Sequence, residues 1–381
     1  MSRGELREHL GYVSDQIKTA AYQQALSAVI TPTSVVLDLG SGTGLLGMLA
    51  CQAGARRVYA VDDGPILGAA AATAQRNGFA HRIVNIRGMS TEIDLPERVD
   101  VVISDQIGGI AQDAGVFRFH ADARARLCAP GAVFIPASFQ LRMAPVGAAV
   151  LSTHIYGWSK PAAALDFSEF AQLATNSVHH YEGSPRWLLG HPEQFAVVRS
   201  DVDKPLTGSA ISQVTRAGTM HAVRGSFRAE LAPEVWLTNE PGQPDSFSRW
   251  QNYYPLDAAV RIRPGDTVEF RIDIRPKVDV TTWWITVRRA SRVVHQCQRS
   301  TALGTFLDAD DLQSLDRAFV PAPSPALSQL VDAMDGATTV SALERLAIDS
   351  GVARSGEGAR DAVQQLLALA RGAHVTRHSE R

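Results

Sequence analysis

Asp38, Gly40, Gly42 and Gly44 stand in the run Asp38-Leu39-Gly40-Ser41-Gly42-Thr43-Gly44, and a second acid, Asp62, closes the next apolar segment. Glycines at this spacing remove Cβ atoms where a backbone must turn sharply and approach a ligand. An acid placed like Asp62 accepts hydrogen bonds from both hydroxyls of a ribose. The apolar Val35–Leu39 before the turn, the helix-forming Leu45–Cys51 after it and the short apolar Val58–Val61 complete a strand–turn–helix–strand–acid order. That order belongs to nucleotide-type cofactor sites. Asp38 narrows the ligand. A dinucleotide puts pyrophosphate at the helix N-terminus, where a preceding carboxylate is unhelpful, whereas a cationic ligand suits it. A dinucleotide and a purely structural glycine turn are the competing readings. The second is disfavoured because strand, turn, helix and acid fall in order. Further along, Ser104-Asp105-Gln106-Ile107-Gly108-Gly109-Ile110-Ala111-Gln112-Asp113 sets Asp105 just past another apolar strand, Val99–Ser104. Ligands sit at such strand ends in parallel sheets.

The elements that must position these residues alternate. Strands are expected at 35–38, 57–61, 83–87, 99–104 and 132–136, and helices at 44–54, 65–77 and 117–128, which implies a parallel sheet with helices on both faces. Residues 5–29 read as one or two amphipathic helices, with Leu6, Leu10, Val13, Ile17 and Tyr22 at three- and four-residue spacings. After Pro136 the texture changes. Alternating segments such as Val268-Glu269-Phe270-Arg271-Ile272-Asp273-Ile274 predict an antiparallel sandwich or barrel, interrupted by a more helical stretch from Leu165 to His180. Pro321-Ala322-Pro323-Ser324-Pro325 reads as a stiff linker to a helical or winged-helix-like module. The expected domains are therefore a helical segment 1–30, a cofactor domain 31–137, a barrel domain 138–320 and a C-terminal module 326–381.

Composition sets limits. The chain has 381 residues and a formal charge of −2, so no global field draws it to nucleic acid or to an anionic membrane. No apolar run is long enough to span a bilayer. The N-terminus is too charged for a signal peptide, and a cytoplasmic protein is expected. Cys51, Cys128 and Cys297 are too widely spaced for a disulfide framework or a metal-ligand motif, so no metal is expected.

The glycine turn resembles motif I of class I methyltransferases, which use S-adenosylmethionine (SAM), a ligand with a sulfonium, an ammonium and no phosphate. The order of N-terminal helix, SAM domain and barrel with a helical insertion resembles the protein arginine methyltransferases over roughly residues 5–300. Ala53-Gly54-Ala55 with Val58-Tyr59-Ala60-Val61, Leu95-Pro96 with Val99–Ser104, Ala129–Pro136, Arg263-Pro264-Gly265-Asp266 and Ile274-Arg275-Pro276 carry this likeness. The resemblance implies a Rossmann-like parallel sheet followed by a β-barrel, and a dimerisation arm near 160–182 that makes a homodimer. It further implies that Gly40, Gly42 and Gly44 line the methionine part of SAM, that Asp62 holds the ribose and that Ser90 and Thr91 read the adenine. Lys18 falls where the family carries an arginine for the SAM carboxylate. Asp15 falls where an aspartate meets the barrel's Thr-His-Trp loop, here Ser248-Arg249-Trp250, so an Asp15–Arg249 pair is expected with Trp250 beside it.

This chain departs from the family at the acceptor. The family loop carries two glutamates; here Asp105 stands for the first, and Asp113, one residue out of register, is the nearest acid to the second. The aromatic motif of the family's first helix is absent. Two carboxylates clamp a guanidinium by charge-assisted hydrogen bonds and raise the lone-pair density of its third nitrogen. Asp105 and Asp113 are the candidates for that clamp, with Asp105 also facing Lys18. A neutral amine, imidazole or amide nitrogen needs only one carboxylate. The expected activity is N-methylation of a guanidine or similar nitrogen on an amino acid, peptide or small molecule. The alternatives are a methyltransferase for a non-guanidine small molecule and an inactive SAM-binding scaffold.

Overall fold

The computed structural model describes residues 3–111, 114–276, 279–303, 329–331 and most of 333–367. Two helices, α1 (Arg3–Ser14) and α2 (Gln16–Val29), open the chain. Asp15 separates them because its carboxylate accepts the Lys18 backbone N–H at 3.0 Å, capping α2. A parallel sheet follows, built from β1 (Val35–Leu39), β2 (Arg57–Asp62), β3 (Ile83–Arg87), β4 (Val99–Ser104) and β5 (Cys128–Ile135) in the order β3-β2-β1-β4-β5. Helices α3 (Leu45–Gln52), α4 (Leu67–Arg76) and α5 (Val116–Arg126) connect the strands. Every residue of β1 is buried, as expected for a central strand covered on both faces. The strand order reverses between β1 and β4. The crevice for a ligand in such a sheet opens at their C-terminal ends.

The antiparallel part starts with β6 (Ser138–Val146), two residues beyond the parallel sheet. The chain then makes α6 (Ala149–Tyr156) and α7 (Phe170–Thr175), which pack on each other. Next come β7 (His179–Tyr181), β8 (Glu193–Arg199), β9 (Leu206–Gln213), β10 (Gly218–Ala232), β11 (Val235–Thr238), β12 (Gln251–Ile262), β13 (Asp266–Arg275), β14 (Val280–Arg289) and β15 (Arg292–Ser300). They form one sheet in the order β7-β12-β10-β6-β8 with β11 on β10, and a second in the order β15-β14-β13-β9. The helical reading of Leu165–His180 is corrected at its end. His179 and His180 pair with Tyr253 and Asn252 as strand β7, which extends the edge of the sheet beside β12.

A continuous apolar core joins the two parts. Tyr22 and Leu26 of α2, Ile103 of β4, and Ile107 and Ile110 after it belong to the same cluster as Phe139, Phe227, Tyr254, Phe270 and Trp283. The opposite face of the parallel sheet has its own cluster around Leu37, Tyr59, Val102 and Phe134. The segment after β4 is thus held between sheet and barrel, so Asp105 is positioned by both. A separate small cluster of Leu330, Leu343, Ala347 and Val363 organises the C-terminal helices, of which Val340–Asp349 is capped by Thr339. The expected Pro321–Pro325 linker lies outside the described residues.

Candidate active site

The glycine turn leaves β1 and hugs the end of β2. The backbone N–H groups of Gly40 and Ser41 both donate to the Val61 carbonyl, at 2.9 and 3.0 Å. Gly40 has φ +65°, a conformation that favours glycine, and a Cβ there would lie 2.5 Å from the Gln106 amide nitrogen and push that side chain aside. Gly44, at φ +77°, stands as the N-cap of α3. Asp62 braces the turn from the neighbouring strand: one carboxylate oxygen accepts the Gly42 N–H at 2.8 Å and the other the Gly64 N–H at 2.7 Å. Each oxygen keeps a further lone pair for ligand hydroxyls.

Asp38 points to the other side. One oxygen accepts the Gly47 N–H of α3 at 2.8 Å, while Oδ1 is buried without a hydrogen-bond partner among the described residues. Burial raises its carboxyl from the ordinary 3.8 to about 7, against the lowering effect of the Gly47 hydrogen bond and with added repulsion from Asp62 and Asp105. It both ties the cofactor helix down and presents an unsatisfied acid that a nearby cation would ionise.

Asp105 follows β4 and joins the two halves of the molecule. The ammonium of Lys18 contacts one carboxylate oxygen, and the guanidinium of Arg249 donates to the other at 3.2 Å. Both cations are nearly inaccessible, with side-chain exposures of 3% and 5%. Tyr12 of α1 lies against both; its ring centroid is 4.6 Å from the Lys18 ammonium and 5.0 Å from the Arg249 guanidinium carbon. Phe247 and Trp250 add faces at 5.5 and 5.3 Å to Arg249. Tyr22 donates its hydroxyl to the Ser104 carbonyl at 2.7 Å, fixing the backbone beside Asp105. Burial is the largest influence and works to lower the Arg249 pKa, but Asp105, Tyr12 and Tyr22 together outweigh it and the guanidinium is held above its usual range.

The expected Asp15–Arg249 pair does not form. Asp15 spends one oxygen on the Lys18 N–H and the other on the Ser248 N–H, at 3.0 and 2.9 Å. It still ties α2 to the barrel loop, but through backbone, and Arg249 reaches past it to Asp105. The longer arginine side chain makes that reach possible where an imidazole would stop short. Trp250 is half-buried, edge-on to His180 at 6.4 Å, and its carbonyl accepts from Asn239 at 2.9 Å. Ser90 and Thr91 lie in the partly buried turn after β3, where the Ser90 carbonyl accepts from Arg126 at 2.7 Å. Asp113 lies outside the described residues. Tyr12, Phe247 and Gln106 escaped sequence reasoning: single side chains on a helix or loop carry no spacing signal, although Tyr22, four residues after Lys18, shares its helix face.

The parallel sheet with its cofactor turn, fused to antiparallel sheets through Asp105, defines a class I methyltransferase fold with an appended barrel. A model of the ribosomal protein L11 methyltransferase (PrmA) family matches residues 18–127. Protein arginine N-methyltransferase 6 of Danio rerio is 26% identical over 292 residues, covering 72% of this chain and 83% of that one. The histone-arginine methyltransferase CARMER of Drosophila yakuba is 33% identical over 303 residues, covering 73% of this chain and 56% of the relative. The chain spans 39% of a probable protein arginine N-methyltransferase 6 of Arabidopsis thaliana and 56% of CARMER from Drosophila persimilis, so it matches about half of these relatives or less. Among solved structures, the Trypanosoma brucei PRMT1 enzyme–prozyme heterotetrameric complex with AdoHcy superposes with TM-score 0.69 at 22% identity, covering 77% of this chain and 97% of that one. Arabidopsis thaliana protein arginine methyltransferase 10 gives 0.65 at 19% identity, covering 78% and 98%. The chain is arginine methyltransferase-like in sequence and in fold.

The residues present fit S-adenosylmethionine. Lys18 would meet its carboxylate, the orphaned Asp38 Oδ1 its positive charge and Asp62 its ribose, and the glycine turn would admit close backbone approach. The cofactor supplies an electrophilic methyl on a sulfonium.

Proposed function

We propose that the chain is a SAM-dependent N-methyltransferase acting on a guanidine or similar nitrogen of an amino acid, a peptide or a small molecule. The observation that carries this reading is Asp105, a carboxylate at the switch point of the sheet that already binds an ammonium and a guanidinium. Methyl transfer from a sulfonium is an in-line displacement, so the protein's task is to align and desolvate. A carboxylate that accepts an acceptor N–H directs the nitrogen lone pair toward the methyl and takes up the released proton. Tyr12, Tyr22 and Trp250 exclude water around it. Labelled SAM incubated with guanidino acids, amines and arginine peptides tests the reading; SAM binding without methyl transfer to any of them would leave the scaffold alternative in its place.

We also read the α6–α7 region as an arm for homodimerisation. Trp158 stacks on Phe170 with ring centroids 5.1 Å apart, and these rings and Leu165 are exposed. Leu6, Leu10, Val13 and Ile17 offer exposed apolar side chains on α1 and α2. The three cysteines are free and buried, which fits a reducing compartment such as the cytoplasm.

A further inference from the structure

The seam between the two antiparallel sheets carries a cluster of side chains that the proposed reaction does not use. β12 and β15 belong to different sheets and meet at this seam. β12 bulges there: residues 256–259 stand opposite His221 alone, because Pro255 pairs with Ala222 and Val260 with Met220. A bulge re-aims the side chains it contains. Tyr156 of α6 pins the bulge by donating to the His221 and Leu256 carbonyls at 3.1 and 3.2 Å. On β15, His295 and Cys297 are two residues apart and so share one face of the strand. One side-chain donor atom from each of Asp257, His295 and Cys297 lies within 4.8 Å of the other two.

These atoms are disposed to hold a cation. His295 Nε2 is 2.8 Å from Asp257 Oδ1, yet no aligned hydrogen bond joins them, and Nε2 is buried without a partner among the described residues. A metal ion placed between them satisfies a lone pair on each. The Arg299 guanidinium pairs with the other Asp257 oxygen at 3.3 Å, which orients the carboxylate and leaves Oδ1 to ligate. Burial, with the Asp257 charge adding to it, pushes the Cys297 thiol up to about 11, so a metal must displace its proton. Asp257 is 37% exposed and gives an ion entry from solvent. The ligands of a tetrahedral zinc stand about 3.3–3.8 Å apart, so small side-chain movements close the site.

We propose that Asp257, His295 and Cys297 form a zinc site that clips β12 to β15 across the barrel seam, with water as the fourth ligand. On binding, Cys297 releases its thiol proton to solvent and ligates as the thiolate, His295 as the neutral imidazole and Asp257 through Oδ1. A mixed nitrogen, sulfur and oxygen set suits zinc and not magnesium or calcium, which take oxygen ligands. Spacing along the chain conceals the site, because its ligands come from two strands that meet only in the folded barrel.

The full chain, stripped with a chelator, is titrated with zinc against a chromophoric competitor and with cobalt(II) as a spectroscopic probe. Stoichiometric zinc uptake is expected, with a thiolate-to-cobalt charge-transfer band that Cys297→Ser abolishes and that the Cys51→Ser, Cys128→Ser double variant keeps. Cys297→Ser and His295→Ala should each weaken zinc binding about a hundredfold or more, beyond the effect of losing an outer-shell group. Zinc should raise the melting temperature of wild type and leave that of Cys297→Ser unchanged. Asp257→Asn, at the exposed rim, removes a ligand without emptying the core; it should weaken zinc binding while keeping the sulfur band. Zinc uptake by wild type no tighter than by Cys297→Ser, a cobalt spectrum without the sulfur band, or His295→Ala and Asp257→Asn binding as tightly as wild type would overturn the proposal.

Discussion

Asp105 and Asp38 are both carboxylates at strand ends or centres, yet their surroundings give them different work. Asp105 is bracketed by the Lys18 ammonium and the Arg249 guanidinium and holds both. Replacing it by Asn keeps the shape but removes the charge that orients an acceptor. Turnover is expected to fall roughly a hundredfold or more, with SAM affinity changed much less. Single-turnover rates alongside calorimetry separate the two effects, and near-wild-type turnover would take this loop out of the chemistry. Asp38 is buried with only the Gly47 N–H as a hydrogen-bond partner among the described residues, and its carboxyl is raised from 3.8 to about 7. Unfolded, it loses its proton near the ordinary value; folded, it keeps it until about neutral pH. Between those values the native state binds more protons, so its contribution makes stability fall as pH rises, by up to about 1.4 kcal/mol per pH unit. Asp38→Asn keeps an oxygen for the Gly47 N–H and removes the titration. Denaturant melts of the variant should show a flatter pH profile than wild type between about pH 4 and about pH 7; an identical slope would mean Asp38 is already ionised.

The glycine turn is the element most legible in the sequence, because the left-handed φ of Gly40, Gly42 and Gly44 strongly favours glycine at that spacing. Gly40→Ala should cost about 1–2 kcal/mol in backbone strain and displace Gln106 as well. SAM affinity should weaken with it, and an alanine variant with unchanged melting temperature and affinity would contradict the geometry. Asp62→Ala should weaken SAM by about 1.5–3 kcal/mol, since the carboxylate braces the turn and would take the ribose hydroxyls. The parallel strands and the alternating barrel strands are also readable, since burial on both faces or on one face imposes different apolar patterns. What the spacing hides is which side chains meet across elements. The Gly47 N–H that holds Asp38 lies on the following helix, and Arg249 meets Asp105 from a barrel loop. Such pairings depend on side-chain reach in the folded state, as the broken expectation for Asp15 and Arg249 illustrates. The β7 strand was missed for the same reason: a three-residue edge segment has too few positions to show alternation.

At the scale of the whole molecule, sheet and barrel share one core, and the loop that carries Asp105 is sandwiched between them. The C-terminal helices have a core of their own, so removing residues 326–381 should leave SAM binding intact while assembly or acceptor choice changes. A soluble truncation that no longer binds SAM would show that this module completes the site. Among the described residues no helix is long and apolar enough to cross a membrane. The central claim is that this scaffold moves a methyl group from SAM to an acceptor nitrogen through Asp105. Its most direct test is mass-spectrometric detection of the methylated product from labelled SAM and γ-guanidinobutyrate, run in parallel with wild type and Asp105→Asn. The account predicts a nitrogen-bound label with wild type and its loss in the variant; SAM-bound wild type that labels neither this acceptor nor any amine or peptide, or a variant as active as wild type, would contradict it.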